Sequence, residues 1–155
     1  MTDYWLPHHS TRGGEKISAI VLHYPAPNPA YPKPYSVDAL HALLLAEKLS
    51  YHYYVTKDGL THQFVQDDEK AWHAGKSTLH GVENVNRCSI GVCLENNGGE
   101  IYSPMMILTA ATLCAKLCEQ YRIPKNRIVG HCHVSPDRRV DPGSHFPWYE
   151  FFTYI

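Results

Sequence analysis

Between Gly130 and Gly143 the chain reads Gly-His-Cys-His-Val-Ser-Pro-Asp-Arg-Arg-Val-Asp-Pro-Gly: two imidazoles, a thiol, two guanidinium groups and two carboxylates within fourteen residues. Zn²⁺ is bound by neutral imidazole nitrogen, thiolate and carboxylate, so this mixture suits a metal better than a solvated loop. The segment cannot close a site alone. His131 and Asp141, ten positions apart, supply two ligands, and a third has to arrive from elsewhere. We take it to be His23, near the end of the apolar run Ile17-Ser18-Ala19-Ile20-Val21-Leu22-His23-Tyr24. A set of His23, His131 and Asp141 leaves one coordination position for water, as a catalytic zinc requires.

Each of these residues also has a plainer reading. His23 could cap the edge of a core through one hydrogen bond. Asp141 could be a turn residue before Pro142-Gly143. His131 and His133 share one face of an extended chain, with Cys132 on the other. The residues do not separate the two histidines, and we choose His131 because it opens the cluster directly after Gly130. Adjacent residues rarely hold one ion together, which counts against Cys132. Cys114 and Cys118 read as interior positions of a helix, where free cysteine behaves as a small hydrophobe. His8, His9, His41, His62, His80 and His145 stand in contexts that suit surface or packing roles, and Trp72 reads as core.

The elements that must position this chemistry can be read from pattern and punctuation. Residues 17–24 are apolar and rich in β-branched side chains, a buried strand that delivers His23 at its C-terminal end. The proline-dense stretch 25–34 excludes helix and sheet and should line one wall of the cleft. Ser36 can cap a helix to about Leu49, with Asp38 in its first turn and a stripe of Val37, Leu40, Leu43 and Leu44 that fades at Glu47. Strands at 51–56 and 60–65, joined by Lys57-Asp58-Gly59, form a hairpin. Residues 66–87 read as loop, and 88–95 as a strand ending at Asn96-Asn97-Gly98-Gly99. Ser103-Pro104 opens a helix through Tyr121, Ile128–Val129 is a short strand, and 148–155 a final helix. Strand and helix alternate without repeat or linker. This gives one mixed α/β domain over 1–155, a central mixed sheet flanked by helices, with 1–16 an irregular segment along the surface.

The bulk numbers set limits. At 155 residues the chain has length for one real core. The formal net charge of -1, without a basic run, gives no argument for nucleic acid. No apolar stretch approaches the length of a membrane span, and 1–16 lacks the apolar core of a secretory signal. The five cysteines follow no disulfide-framework spacing. We therefore expect synthesis in a reducing cytoplasm; access to a cell wall would need host lysis or a dedicated export route. The compositional excess is eleven histidines. Oligomeric state is not readable.

The segments Leu22-His23-Tyr24, Ser50-Tyr51-His52-Tyr53, Lys57-Asp58-Gly59, Ala71-Trp72-His73-Ala74-Gly75, Ser89-Ile90-Gly91-Val92 and Gly130-His131 through Asp141-Pro142-Gly143 occur in that order. Together, over about residues 17–148, they resemble the zinc-dependent N-acetylmuramoyl-L-alanine amidases of the amidase type 2 superfamily. That group includes small phage lysozymes, the cytosolic amidase of muropeptide recycling and the peptidoglycan recognition proteins. The resemblance implies zinc on His23, His131 and Asp141. It implies Tyr51 as the catalytic tyrosine of the phage and recognition-protein branches. Arg139 stands where the family carries a lysine beside the metal, and Arg138 matches a position that holds the sugar–peptide ligand. His73 is the next candidate for a substrate contact, followed by Asn86. Cys93 occupies the position of the recycling branch's glutamate, and Glu95, two residues on, is a poor substitute.

The reaction implied is hydrolysis of the amide between N-acetylmuramic acid and L-alanine, with peptidoglycan or muropeptide as partner and no nucleic acid or membrane. Chain length, Tyr51 and Cys93 lean towards a lytic, endolysin-like enzyme, which is our reading of the sequence. Asp137-Arg138-Arg139 and Asp141-Pro142-Gly143 lean towards recycling of soluble anhydro-muropeptides. A non-catalytic peptidoglycan-binding module is the reading of another class, disfavoured by the full ligand set. A structural zinc would need a fourth protein ligand, for which Cys132 and His133 are the candidates.

Overall fold

Five strands form the central sheet, in the order Thr61–Gln63, Tyr53–Val55, Ser89–Leu94, Ala19–His23, Ile128–Gly130. The computed structural model describes residues 4–27, 30 and 35–155. In chain order its elements are β1 (His9–Thr11), β2 (Ala19–His23), α1 (Val37–Glu47), β3 (Tyr53–Val55), β4 (Thr61–Gln63), β5 (Glu69–Ala71), β6 (Thr78–Leu79), β7 (Val82–Glu83) and a 3-10 turn (Val85–Cys88). There follow β8 (Ser89–Leu94), α2 (Pro104–Tyr121), a second 3-10 turn (Lys125–Arg127), β9 (Ile128–Gly130), α3 (His131–Val134) and α4 (Trp148–Thr153). Strand β2 runs parallel to β8 and β9, β3 runs parallel to β8, and β4 closes one edge antiparallel to β3. This is the expected α/β architecture with a mixed sheet.

Parallel strands are covered on both faces, which is why β2 and β8 read as continuous apolar runs. Side chains alternate across the pleat. Ile20, Leu22, Ile90, Val92 and Leu94 pack on one side with Met106, Ile107, Ala110, Cys114 and Leu117 of α2 and with Phe151 of α4. The opposite side carries Cys93 with Leu40, Leu43 and Leu44 of α1, and Ala19 and Val21 with Val134 of α3. His23 shares the parity of Ala19 and Val21, so it emerges on the face away from α2. Cys114 of α2 is fully buried on the α2 side of the sheet as a small apolar residue.

The helix starts follow their local signals. Ser36 Oγ accepts from the Ala39 N–H at 3.2 Å, and Leu40, Leu43 and Leu44 form the buried stripe while Glu47 is exposed. Ser103 Oγ accepts from the Met106 N–H at 3.1 Å and donates to the Lys57 carbonyl at 2.7 Å, tying α2 to the hairpin. In that hairpin Tyr53 stands opposite Gln63, and Gly59 adopts φ +83° to close the turn.

Three expectations need correction. The N-terminal segment is not irregular throughout. Strand β1 pairs antiparallel with β5, Leu6 is buried, and the buried Arg12 guanidinium donates to the carbonyls of Asp67, Asn86, Arg87 and Ser89. Its anchor is one side chain, which composition does not reveal. The predicted loop 66–87 carries β5, β6, β7 and a 3-10 turn, each too short to show a period. Residues 131–134 are a helical turn and not extended chain. About 200° therefore separates His131 from His133, which do not share a face. Of the proline-dense stretch, Ala26 and Pro27 are seen at the cleft; 28–29 and 31–34 lie outside the described residues.

Candidate metal centre

The ends of two neighbouring parallel strands bring the ligand candidates together. His23 is the last residue of β2, and His131 follows the last residue of β9, whose Gly130 stands opposite Leu22 in the register. Asp141 is returned to this edge by its own backbone, whose carbonyl accepts from the Cys132 N–H at 2.9 Å. Gly130 permits the return, because a Cβ there would lie 2.6 Å from Pro142 Cδ. Carboxyl ends of parallel strands are where open α/β sheets place their ligand sites.

The three side chains converge tightly. His23 Nδ1 lies 3.1 Å from His131 Nδ1 and 3.0 Å from Asp141 Oδ2, and His131 Nδ1 lies 3.2 Å from the same oxygen. All three residues are buried. Burial pushes the His23 imidazolium down to about 4, so the ring is neutral at pH 7. For Asp141, burial acts upward, but the His131 and His23 rings beside it outweigh that and hold the carboxyl below its ordinary value. Two imidazoles and a carboxylate facing one point are a donor set that could hold a single metal ion. Cys132 and His133 do not complete a closed site. His133 turns back, its Nδ1 accepting from the Gly130 N–H at 2.8 Å and its ring packing on Trp148. The trio, without Cys132, is the group of potential ligands among the described residues.

Above the trio opens a cleft of about 250 Å³ lined by Tyr24, Tyr51, His73, Arg138 and Arg139 among others. The Tyr51 ring packs on His23 with centroids 5.0 Å apart, and Tyr51 shares a buried cluster with Cys93. Burial drives that phenol well above its usual value of 10.0. Arg139 is exposed at the mouth and donates to the Arg138 carbonyl at 3.2 Å. One nitrogen of Arg138, Nη2, is tied to the carbonyls of Ala74 and Lys76 at 3.1 and 2.8 Å. His73 borders the cleft, but both its ring nitrogens face protein: Nδ1 lies 2.9 Å from His23 Nε2, and Nε2 lies 3.1 Å from Ser89 Oγ. Asn86 is not in the cleft. Its side-chain oxygen accepts from the N–H groups of His73 and Ala74. These contacts tie both residues to the ligand shell. Glu95 lies away from the trio, its carboxylate accepting from the Lys57 N–H at 2.8 Å in the hairpin turn.

Sequence reasoning missed Ser89 and the Ala74 carbonyl, which accepts from His131 Nε2 at 3.0 Å. A backbone carbonyl leaves no trace in residue type. Ser89 left one, as a polar residue opening an otherwise apolar buried strand.

An open-sided trio of two imidazoles and a carboxylate at a sheet edge is the arrangement of a mononuclear metal-dependent hydrolase. The family model described as N-acetylmuramoyl-L-alanine amidase matches residues 13–144, and the chain belongs to that family, Amidase_2. Among curated proteins it is similar to the 1,6-anhydro-N-acetylmuramyl-L-alanine amidase AmpD of Haemophilus influenzae, 33% identical over 109 residues, covering 70% of this chain and 59% of that protein. It is also similar to the N-acetylmuramoyl-L-alanine amidase AmiD of Escherichia coli, 31% identical over 149 residues, covering 86% of this chain and 51% of AmiD. The chain thus spans little more than half the length of these relatives. Among solved structures, a selenomethionine AmpD derivative superimposes with TM-score 0.84 at 28% identity, covering 100% of this chain and 98% of that one. Escherichia coli AmiD in complex with anhydro-N-acetylmuramic acid-L-Ala-D-γ-Glu-L-Lys follows with TM-score 0.78 at 27% identity, covering 96% and 60%. A Clostridium intestinale endolysin, at 23% identity and TM-score 0.70 over 96% of this chain and 88% of that chain, shares the fold. No described helix is long and apolar enough to cross a membrane.

Proposed function

We propose that this chain is a zinc-dependent N-acetylmuramoyl-L-alanine amidase acting on soluble anhydro-muropeptides, the recycling type of reaction. The observation that carries the reading is the convergence of His23 Nδ1, His131 Nδ1 and Asp141 Oδ2 at 3.0–3.2 Å beneath an open cleft. A tetrahedral ion with bonds of about 2.0–2.1 Å holds its ligand atoms roughly 3.3 Å apart, so the spacing supports zinc. The relatives support the soluble substrate. AmpD proteins named for 1,6-anhydro-N-acetylmuramyl-L-alanine are 31–36% identical, whereas the endolysin likeness concerns the fold. The lytic expectation from chain length, Tyr51 and Cys93 therefore yields to the recycling one.

Zn²⁺ bound here would polarise the scissile carbonyl and lower the pKa of water to about 7. The chain's own groups do the rest. His23 and Asp141 reach neutral pH in the protonation states a metal needs, neutral and anionic. Tyr51 keeps its proton, which makes it a hydrogen-bond donor to the oxygen that gains charge and not a base. Arg139, at the mouth, adds a fixed cation for that oxygen. Arg138, anchored through one nitrogen, turns the rest of its guanidinium to the peptide carboxylates of the substrate.

The test is zinc content after dialysis, followed by amine release from anhydro-N-acetylmuramyl-L-Ala-γ-D-Glu, measured beside clearing of purified sacculi. We expect one zinc per chain and cleavage of the soluble compound with little clearing. Clearing without soluble cleavage would restore the lytic reading; binding without either would make the chain a recognition module.

A further inference from the structure

We infer that His73 and Ala74 form one strap that sets the tautomer of both imidazole ligands, clasped in place by Asn86. The inference rests on the reading of the trio as a zinc site and adds the residues that aim it.

The argument begins with a proton count. The Ser89 hydroxyl donates its one proton to the Val85 carbonyl at 2.7 Å. It can then only accept from His73 Nε2, 3.1 Å away. A neutral His73 protonated at Nε2 presents a bare Nδ1, which accepts from His23 Nε2–H at 2.9 Å. His23 is left with its lone pair on Nδ1, the nitrogen that faces the trio. For His131 the logic is shorter. Its Nε2 lies 3.0 Å from the Ala74 carbonyl, an acceptor only, so the proton sits on Nε2 and the lone pair again faces inward. Consecutive residues of one segment therefore decide where both protons go.

The strap is itself held from outside. Asn86 Oδ1 accepts from the N–H groups of His73 and Ala74 at 3.2 and 2.8 Å. Arg138 Nη2 donates to the Ala74 carbonyl at 3.1 Å. Strand β8 clears the space: a Cβ at Gly91 would stand 2.5 Å from His73 Cγ. His73, Ser89 and Asn86 are all buried, so water does not compete for these bonds. Partners of this kind fix ring orientation and raise ligand basicity.

Zinc affinity of the intact protein, read by competition with a chromophoric chelator, tests the strap without reference to turnover. His73→Phe should weaken zinc binding roughly 10–100-fold, the usual loss when such a partner is removed. His73→Gln should recover most of it, because its amide oxygen can accept from His23 and its amide nitrogen can donate to Ser89. Asn86→Ala should weaken binding while both ligands remain. In ¹⁵N NMR of the zinc-loaded unmodified protein, His23 and His131 should each carry their proton on Nε2, a measurement that stands even if a variant fails to fold. A folded His73→Phe protein with unchanged zinc affinity, or a proton on Nδ1 of either ring, would overturn the inference. A wild-type protein that binds zinc and leaves the muramyl amide intact removes the functional reading and leaves the strap standing.

Discussion

Tyr51 and Glu95 are the two side chains to weigh as catalytic partner, and their surroundings separate them. Tyr51 packs on His23 with a phenol that burial keeps protonated; Glu95 holds the Lys57 N–H in a turn. On the proposed role, Tyr51→Phe would remove a donor to the developing oxyanion and is expected to lower kcat by about 10²–10³ with zinc content unchanged. Glu95→Gln should leave kcat close to wild type. The reverse pattern, a dead Glu95→Gln and an active Tyr51→Phe, would exchange the two roles. His23→Ala should lose zinc and activity together, checked by metal analysis of the dialysed protein; normal zinc content would strike His23 from the ligands. At this scale the sequence was legible where residue type carries the chemistry, as with His23, His131 and Asp141. It was not legible where geometry does. His73 and Asn86 offer the same atoms to a substrate as to a neighbouring ring or N–H, and only the fold says which is present.

Strand β8 shows how an element divides its labour. Ile90, Val92 and Leu94 pack towards α2, whereas Ser89, Gly91 and Cys93 keep the other face low enough for the imidazoles. The alternation was plain as a strand; that its small face was making room was not, since a small residue states no reason for being small. Gly91→Ala is expected to destabilise by about 1–3 kcal/mol, as overpacking does, and to weaken zinc binding by displacing His73. Urea unfolding beside chelator competition checks both. Ser103 carries two bonds at the start of α2, and Ser103→Ala should cost about 1–2 kcal/mol in the same unfolding experiment while zinc affinity holds. The two long helices were readable because Ser36 and Ser103-Pro104 are local signals. Strand β5 owes its existence to β1, distant in sequence, β6 and β7 pair only with each other over two residues a side, and the helical turn at 131–134 is too short to announce itself.

The whole molecule has an acid liability. His52 is fully buried; its Nδ1 accepts from the Gly91 N–H and its Nε2 donates to the Glu69 carbonyl, both at 2.9 Å. Burial pushes its pKa down to about 3, against about 6.5 in an unfolded chain. Between those values the unfolded state takes up a proton that the folded state refuses. This contribution is complete above pH 6.5 and is lost as pH falls towards 3, at up to about 1.4 kcal/mol per pH unit. The urea midpoint should therefore drop from pH 7.5 to pH 5, and His52→Gln should flatten that slope; a midpoint independent of pH over this range would contradict the assignment. The class of fold was legible from alternating strand and helix patterns and from six motifs in order. The strand order β4-β3-β8-β2-β9 was not, because pairing between parallel strands leaves no mark in either strand alone.

Arg12 reaches from the N-terminal segment to the carbonyls of Asn86, Arg87 and Ser89, and the exposed Gly13-Gly14 pair follows it directly. A protease nick at those glycines would cut the covalent link that holds the guanidinium against these carbonyls from one side. Backbone amides near residue 86 would then exchange with deuterium sooner, and damage at the periphery would be felt at the clasp on His73 and Ala74 in the middle.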